Sequence, residues 1–512
     1  MKIFSTSQIR ELDRFTIENE PITSIDLMER AANAIYDKFL QTIHYNKPVY
    51  ILAGPGNNGG DALALARHLL QTGLKVKAQI ISNGKLSLDC EINLKRLKER
   101  FDKNVTESVN EFSIPEISPD TVIIDGLFGS GLARPLSGIF AQAVEFVNNS
   151  GCEILSIDIP SGLQGESVAN ENDAIVKANY TFSLQFPKLA FFFAENEKYV
   201  GNWSVLDIGI HPKALVETQT NFFLTAKTDI QNILKPRPKF SHKGSFGHLL
   251  LVAGGKGMAG ASVLGAKAAL RSGAGLVTVH GPKCNRVIVQ TAVPEAIFSF
   301  DNNKKFITSV YDLQKYSAIA VGPGIGVNTF SKEMLAQLLS EIQQPCVFDA
   351  DALNLMGYHP ELLHLLPKRS IITPHKKEFE RMFGESTNAA DEIKLAIEKS
   401  KEFEIIIVLK GAYTRVILPD GNVYFNPTGN CGMATGCSGD VLTGIIGSLL
   451  AQGYNSESAT LAGVYLHGLA ADLALETESE ESLIAGDIVA KLGKAFKEFV
   501  IGDKKLENQE NK

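Results

Sequence analysis

The chain has 512 residues, 44% of them hydrophobic and 21% charged, with a formal net charge of −7. That length exceeds what one hydrophobic core usually serves, so two domains are expected. An acidic balance, no Lys/Arg block on any motif, no apolar run able to span a bilayer and no apolar signal core in M-K-I-F-S-T-S-Q-I-R argue against nucleic-acid and membrane partners, and predict a cytoplasmic protein.

In chain order, a helix I-R-E-L-D-R-F-T-I precedes strand-like apolar runs at residues 49–53, 76–81, 122–125 and 154–159, with helical spacing between most of them. Apolar strands without polar alternation, separated by helices, predict a parallel sheet covered on both faces. Ligands of such sheets bind beyond the C-terminal strand ends, and three loops lie there. The first, A-G-P-G-N-N-G-G-D, is a turn leading into a helix over 62–70 that Gly73 caps. It is neither the dinucleotide fingerprint nor a P-loop, yet Asn57, Asn58 and Asp61 are more polar groups than a structural turn needs. The others are D-G-L-F-G-S-G-L-A-R-P, starting at Asp125, and D-I-P-S-G, starting at Asp158. The plain alternatives are a turn-forming Asp125 and a helix-capping Ser161.

Near Gln231 the pattern changes to N-I-L-K-P-R-P-K-F-S-H-K-G-S-F-G-H, which reads as a connector into a second block. Its expected strands are G-H-L-L-L-V-A-G-G, 276–280, 318–321 followed by G-P-G-I-G, 346–348 followed by D-A-D-A-L-N, 371–373 followed by P-H-K-K-E, and 405–409 followed by K-G. A hairpin, R-V-I-L-P-D-G-N-V-Y-F, turns at Asp420-Gly421. Then comes G-N-C-G-M-A-T-G-C-S-G-D-V-L-T-G, a glycine run ending in Gly439-Asp440 ahead of an apolar helix. Backbone N–H groups crowded at a helix N-terminus favour an anion, so the run reads as a phosphate cradle with a carboxylate at its lip. Asp440 is the candidate general base for a phosphoryl transfer, against the plain alternative of a capping residue. The polar end, G-D-K-K-L-E-N-Q-E-N-K, is expected to fray. Six cysteines lack C-x-x-C spacing, which argues against zinc and disulfides; most read as small buried residues, Cys431 and Cys437 in the cradle excepted.

These motifs, in this order and over nearly the whole length, resemble the bifunctional NAD(P)H-hydrate repair enzymes, an epimerase fused to a dehydratase. In the first block the resemblance rests on R-E-L-D-R, D-L-M-E-R-A and the three loops. In the second it rests on S-H-K-G-S-F-G, A-A-L-R-S-G-A-G-L-V-T-V, G-P-G-I-G, T-P-H-K-K-E, L-K-G and the cradle. It implies a Rossmann-like three-layer α/β/α epimerase domain over 1–220, a ribokinase-like α/β dehydratase domain over 221–502 and a polar tail at 503–512. The implied substrates are hydrated NADH and NADPH (NADHX and NADPHX), whose R and S forms the first domain interconverts and whose S form the second dehydrates at the expense of ADP, releasing AMP and phosphate.

For the epimerase the resemblance places substrate on Asn57, Asn58, Gly59, Gly60 and Asp61, and on Gly129, Ser130, Gly131, Leu132, Ala133, Arg134 and Pro135, with Asp158 as catalytic acid or base. Potassium would sit on Asn58, Asp125 and Ser161, hard oxygen donors suited to a hard cation. For the dehydratase it assigns Ala261, Gly324, His375 and Asp440 to the hydrate, and Lys410, Gly411, Ala412, Tyr413, Thr414 and Gly439 to the adenylate, with Mg2+ as companion. His375 alone would read as a core or capping histidine. A homo-oligomer is expected. Two residues depart from the family pattern, Ala62 and Cys437, each where glycine is usual. The alternatives from other classes are a small-molecule kinase of ribokinase type, which would make a stable phosphorylated product, and a first domain that binds nucleotide without turnover.

Overall fold

The computed structural model describes residues 1–43 and 47–499; the tail expected to fray lies outside the described residues. The chain divides into two compact units, one of Lys2–Thr220 with Asn388–Ala390, the other of Asn221–Thr387 and Asp391 onward with Met1.

The first unit is built on a parallel sheet whose strands run, edge to edge, Val105–Val109, Val76–Ser82, Val49–Ala53, Val122–Gly126, Glu153–Ile157, Tyr180–Leu184 and Asn202–Leu206. Its earliest strand, Val49–Ala53, lies inside the sheet between Val76–Ser82 and Val122–Gly126, so the winding reverses there and opens a crevice at the C-terminal strand ends. Alternate residues of that strand feed opposite faces. Val49, Ile51 and Ala53 join one core with Ile35, Phe39 and Leu65, while Tyr50 and Leu52 join another with Phe140, Val144 and Val147. This is the three-layer arrangement that the continuous apolar strands predict.

Two boundaries differ from the sequence expectation. The helix placed at 62–70 is Asn57–Gln71, so Asn57 to Asp61 form its first turn and are not a loop ahead of it. Two glycines of that turn explain why. A Cβ on Gly59 would stand 1.9 Å from the Gly54 carbonyl oxygen, and one on Gly60 2.7 Å from Met28 Sδ. Only glycine lets the helix start drop this close to the backbone, yet glycine lowers helix propensity and hides the start from a reading of spacing. The strand expected over 154–159 ends at Ile157, because Asp158 turns the chain with φ +67°. Strands Val105–Val109, Tyr180–Leu184 and Asn202–Leu206 escaped the sequence reading; the first and last are edge strands with exposed positions.

In the second unit the strand order is Phe222–Leu224, Val423–Phe425, Arg415–Ile417, Ile406–Leu409, Ile371–Ile372, Val347–Phe348, Ala318–Val321, His248–Val252, Leu276–Pro282 and Ile297–Asp301. Pairings are parallel except on the two sides of Arg415–Ile417, where the expected hairpin forms. Helices Ala259–Arg271, Ser438–Ala451, Ser456–Ala474 and Ala485–Lys497 pack on one face around Leu249, Leu251, Val277 and Val279. Helices Ala259–Arg271 and Ser438–Ala451 approach so closely that a Cβ on Gly444 would stand 2.2 Å from the Gly265 carbonyl oxygen. Strands Phe222–Leu224 and Ile297–Asp301 were not foreseen. Among the described residues no helix is long and apolar enough to cross a membrane.

Two candidate active sites

The first site lies where three adjacent strands of the first sheet end. Asp125, fully buried, is the last residue but one of its strand, and the register sets it opposite Ser156. Its carboxylate accepts from Ser156 Oγ at 2.8 Å, Ser161 Oγ at 2.5 Å, Ser161 N–H at 2.8 Å and Leu127 N–H at 3.3 Å. Burial pushes this carboxyl above its ordinary value and the hydrogen bonds pull against it; no cationic side chain figures among these influences. Beside it, the buried Asn58 carries a side-chain nitrogen without a hydrogen-bond partner. Rotating that amide by 180° presents its oxygen in the same direction. A buried carboxylate without a cationic side chain, a hydroxyl and an unspent amide make a donor set that fits a monovalent hard cation.

Gly129 lies between Asn58 and Asp158: a Cβ there would stand 3.3 Å from Asn58 Oδ1 and 3.0 Å from Asp158 Oδ2. Asp158 Oδ2 accepts from Ser130 N–H at 2.9 Å, and Oδ1 meets Lys188 Nζ at 2.6 Å. Lys188 is 1% exposed and also donates to Ser183 Oγ and to the Phe186 carbonyl, both at 3.0 Å. Burial alone would push Asp158 up, but Lys188 and Ser130 outweigh it and hold the carboxyl below its ordinary value. Two neighbours go the other way. Burial, then the Asp158 charge, raises Asp13 to about 6 and puts Asp61 well above the ordinary range. Arg10 donates to the Gly131 carbonyl at 2.9 Å, so the face of helix Thr6–Asn19 that carries Arg10 and Asp13 is turned to this site. The site thus sets one carboxyl held below its ordinary value beside two raised above theirs, a separation of the kind that divides acid from base roles.

Of the predicted epimerase residues, the structure gathers Asn58, Asp61, Gly129, Ser130, Asp125, Asp158 and Ser161. Asn57, Gly131, Ala133, Arg134 and Pro135 are exposed, Gly59 and Gly60 form the helix start, and Leu132 is half-buried. Lys188 and Asp13 were not singled out from the sequence. Lys188 is one basic residue among 50, and only its place shortly after an apolar strand distinguishes it. The Ala62 methyl, one of the departures, fills the space over Gly126, where a Cβ would stand 2.4 Å from it.

The second site gathers at the N-terminus of helix Ser438–Ala451. Cys437 caps that helix at φ +68°, a left-handed conformation that glycine adopts without strain, which accounts for the usual residue here. Gly439 faces inward: a Cβ on it would stand 3.3 Å from Lys410 Nζ and 3.5 Å from Asp349 Oδ2. Lys410 ends strand Ile406–Leu409 and pairs with Asp349 Oδ1 at 2.9 Å and Glu378 Oε2 at 3.8 Å. Burial lowers its proton affinity, but Asp349 and Glu378 more than restore it, so Lys410 is charged. Burial, then Asp349, raises Asp440 to about 6; Cys437 and Lys410 oppose the rise.

His375 caps helix Lys376–Phe383 through Nδ1, 3.3 Å from the Glu378 N–H, and its Nε2 lies 3.3 Å from Glu378 Oε1. Glu378 therefore links His375 to Lys410. Ala261, in the first turn of helix Ala259–Arg271, neighbours Gly324, a Cβ on Gly324 standing 3.5 Å from the Ala261 methyl, and Gly265, one turn further along the same helix, abuts the Asp440 carbonyl. Gly411, Ala412, Tyr413 and Thr414 form the turn after Lys410, held by Thr414 Oγ1 donating to the Gly411 carbonyl at 2.9 Å. Sequence reading missed Asp349, Glu378, Thr443 and His467. The signal for Asp349 was present as D-A-D-A-L-N at a strand end. All six cysteines are free, with Cys284 exposed alongside Cys431 and Cys437.

Two α/β sheets, each with ionisable groups and glycine-rich turns at its C-terminal strand ends, define a chain with two separate active sites. Comparison with known proteins specifies the class. Residues 24–190 match the family described as YjeF-related protein N-terminus, and residues 249–493 the family described as NAD(P)H-hydrate dehydratase. The bifunctional NAD(P)H-hydrate repair enzyme Nnr of Thermofilum pendens is 33% identical over 97% of this chain and 96% of its own length. Its namesake in Escherichia coli is 30% identical over 96% of this chain and 93% of its own length. Among solved structures, the ADP/ATP-dependent NAD(P)H-hydrate dehydratase of Bacillus subtilis, co-crystallised with ATP and Mg2+, is 29% identical, covers 55% of this chain and all of its own, and has a TM-score of 0.48. The chain belongs to the family of bifunctional NAD(P)H-hydrate repair enzymes.

Proposed function

We propose that the first site epimerises the R and S hydrates of NADH and NADPH, and that the second dehydrates the S hydrate with ADP as phosphoryl donor and Mg2+ on its phosphates. In the first site, a proton from one of the raised carboxyls, Asp61 or Asp13, lets the C6 hydroxyl leave as water, and Asp158, kept ionised by Lys188, takes a proton from the water that returns to C6 on either face. Asn58, Asp125 and Ser161 would hold potassium, which when bound supplies the positive charge that Asp125 lacks among side chains. The Gly129 to Pro135 segment and the helix start at Asn57 line the substrate's approach.

In the second site, hydroxide would be a poor leaving group, and phosphorylation makes the C6 oxygen a good one. Asp440 takes the hydroxyl proton as the oxygen attacks the β-phosphorus of ADP, and AMP leaves. The ring nitrogen then expels phosphate and loss of a C5 proton restores the C5–C6 double bond. Lys410 and the Gly439 N–H meet the phosphates, the turn through Gly411, Ala412, Tyr413 and Thr414 the rest of the adenylate, and Ala261, Gly324 and His375 the hydrate.

The observation that carries this reading is Asp440 itself: it stands at a helix N-terminus beside Gly439 and Lys410, with its proton affinity raised into the working range of a base. A base must be unprotonated, so dehydration is expected to fall as pH drops through about 6. Asp440→Asn keeps size and helix capping but cannot accept the proton. It should lower kcat by ~10²–10⁴-fold with adenylate binding retained. A variant that binds ADP and dehydrates at close to the parent rate would place the base elsewhere.

A further inference from the structure

Asp349 takes no part in the assignments above, yet it is the most enclosed ionisable group described at the second site. It follows strand Val347–Phe348 and is 1% exposed. One carboxylate oxygen holds Lys410 Nζ at 2.9 Å and the other accepts from Thr443 Oγ1 at 2.7 Å. Thr443 lies on helix Ser438–Ala451, one turn after Gly439 and Asp440, and is itself fully buried. Asp349 therefore ties the strand end that carries it to the lysine of another strand and to the helix that presents the cradle. Lys410 has two carboxylates within ion-pair distance, Asp349 and Glu378, and among the described residues Asp440 is not a third.

We propose that Asp349 is a positioning residue of the dehydratase: anchored by Thr443, it keeps the Lys410 ammonium directed at the cradle and off Asp440, and so leaves the Asp440 carboxylate free to take the substrate proton. Released from Asp349, the ammonium keeps Glu378 at 3.8 Å and already feels the Asp440 charge, so more of its charge falls to Asp440, and a base paired with an ammonium is a weaker base. The groups that act on Asp440 are Asp349, Lys410, Asp351 and Cys437; Glu378 acts on Lys410, and the buried His467, its Nε2 3.3 Å from Ser438 Oγ at the start of the cradle helix, feels the Lys410 charge. Of these, Asp349 is the only carboxylate in contact with both the lysine and the cradle helix. Gly439 lies against the pair: a Cβ there would crowd Lys410 Nζ at 3.3 Å and touch Asp349 Oδ2 at 3.5 Å.

The proposal rests on Asp440 as base, and the test separates the two. In the full chain, Asp349→Asn keeps shape and can still accept from Thr443, but cannot hold the ammonium as a counter-charge. It should lower dehydration kcat by ~10²-fold, the scale of a misplaced catalytic group, and move the acid limb of kcat to lower pH, since removal of a neighbouring negative charge lowers the Asp440 proton affinity. Thr443→Val, which frees the Asp349 carboxylate to swing, should move the limb the same way by less, and Thr443→Ser should behave as the parent. An unmoved acid limb in both Asp349→Asn and Thr443→Val, whether kcat falls or not, overturns the proposal; should Asp349→Asn fail to fold, the limb of Thr443→Val decides. Asp440→Asn run in parallel tells the two readings apart. If it keeps the parent's rate and acid limb, the base assignment has failed; if it loses the rate while Asp349→Asn keeps the parent's limb, only the positioning role has.

Discussion

At the scale of single residues, the two sites show how environment sets the work a carboxylate can do. Asp158 and Asp440 are both aspartates at the edge of a glycine-rich turn, yet one is held below its ordinary value by a buried lysine and the other is raised to about 6 by burial and a neighbouring carboxylate. Removing Lys188 should therefore be severe. Lys188→Met leaves Asp158 buried without its counter-charge, a loss of about 3–5 kcal/mol for a broken buried pair, and raises its proton affinity so that it no longer serves as a base near neutral pH. Because the native value is depressed, the stabilisation is present above the ordinary carboxylate range and fades as pH falls through the native value. Epimerisation should be lost with dehydration retained, and the melting temperature lowered; an unchanged epimer equilibration rate in the variant would show that Lys188 does not govern Asp158. Asp125→Asn, which keeps the shape of a fully buried group, should abolish any stimulation of epimerisation by potassium. A potassium response equal to the parent's would leave Asp125 as a strand-end anchor for Ser156 and Ser161.

At the scale of elements, much of what places these residues was legible. The apolar runs at 49–53, 122–125 and 318–321 lie within one residue of the observed strands, and Asn58 at the helix start after the first, Asp125 at the end of the second and the Gly324 turn after the third stand where those runs place them. What could not be read had physical causes. The helix at Asn57 begins inside a glycine run, where close packing against Gly54 overrides weak propensity. Edge strands such as Val105–Val109 bury too few residues to show a pattern. Lys188 and Asp349 became visible only through their partners, since nothing in the local string shows that a lysine meets an aspartate 30 positions earlier or that an aspartate meets a threonine 94 positions later. The roles of His375 and of the turn after Lys410 came from resemblance, and the local chemistry of His375 is that of a helix cap bonded to Glu378.

At the scale of the whole molecule, the account is of two sheets with two chemistries. The first has cores of its own on both faces, drawn from residues between Phe4 and Ala214, so a fragment ending near residue 220 is expected to fold and to equilibrate the R and S hydrates without nucleotide. A fragment that is folded by circular dichroism yet leaves the epimer ratio unchanged, while the whole chain equilibrates it, would remove the epimerase from this half. The central claim is that the second half spends a nucleotide to expel water and returns a reduced nicotinamide. It is tested most directly by incubating the full chain with hydrated NADH, ADP and Mg2+ and measuring, together, the near-ultraviolet absorbance of the restored dihydronicotinamide and the AMP and phosphate released. The account predicts the three in equal amounts and none without nucleotide. Nucleotide consumed without restored absorbance, leaving a stable phosphorylated product, would contradict it and make the second half a kinase.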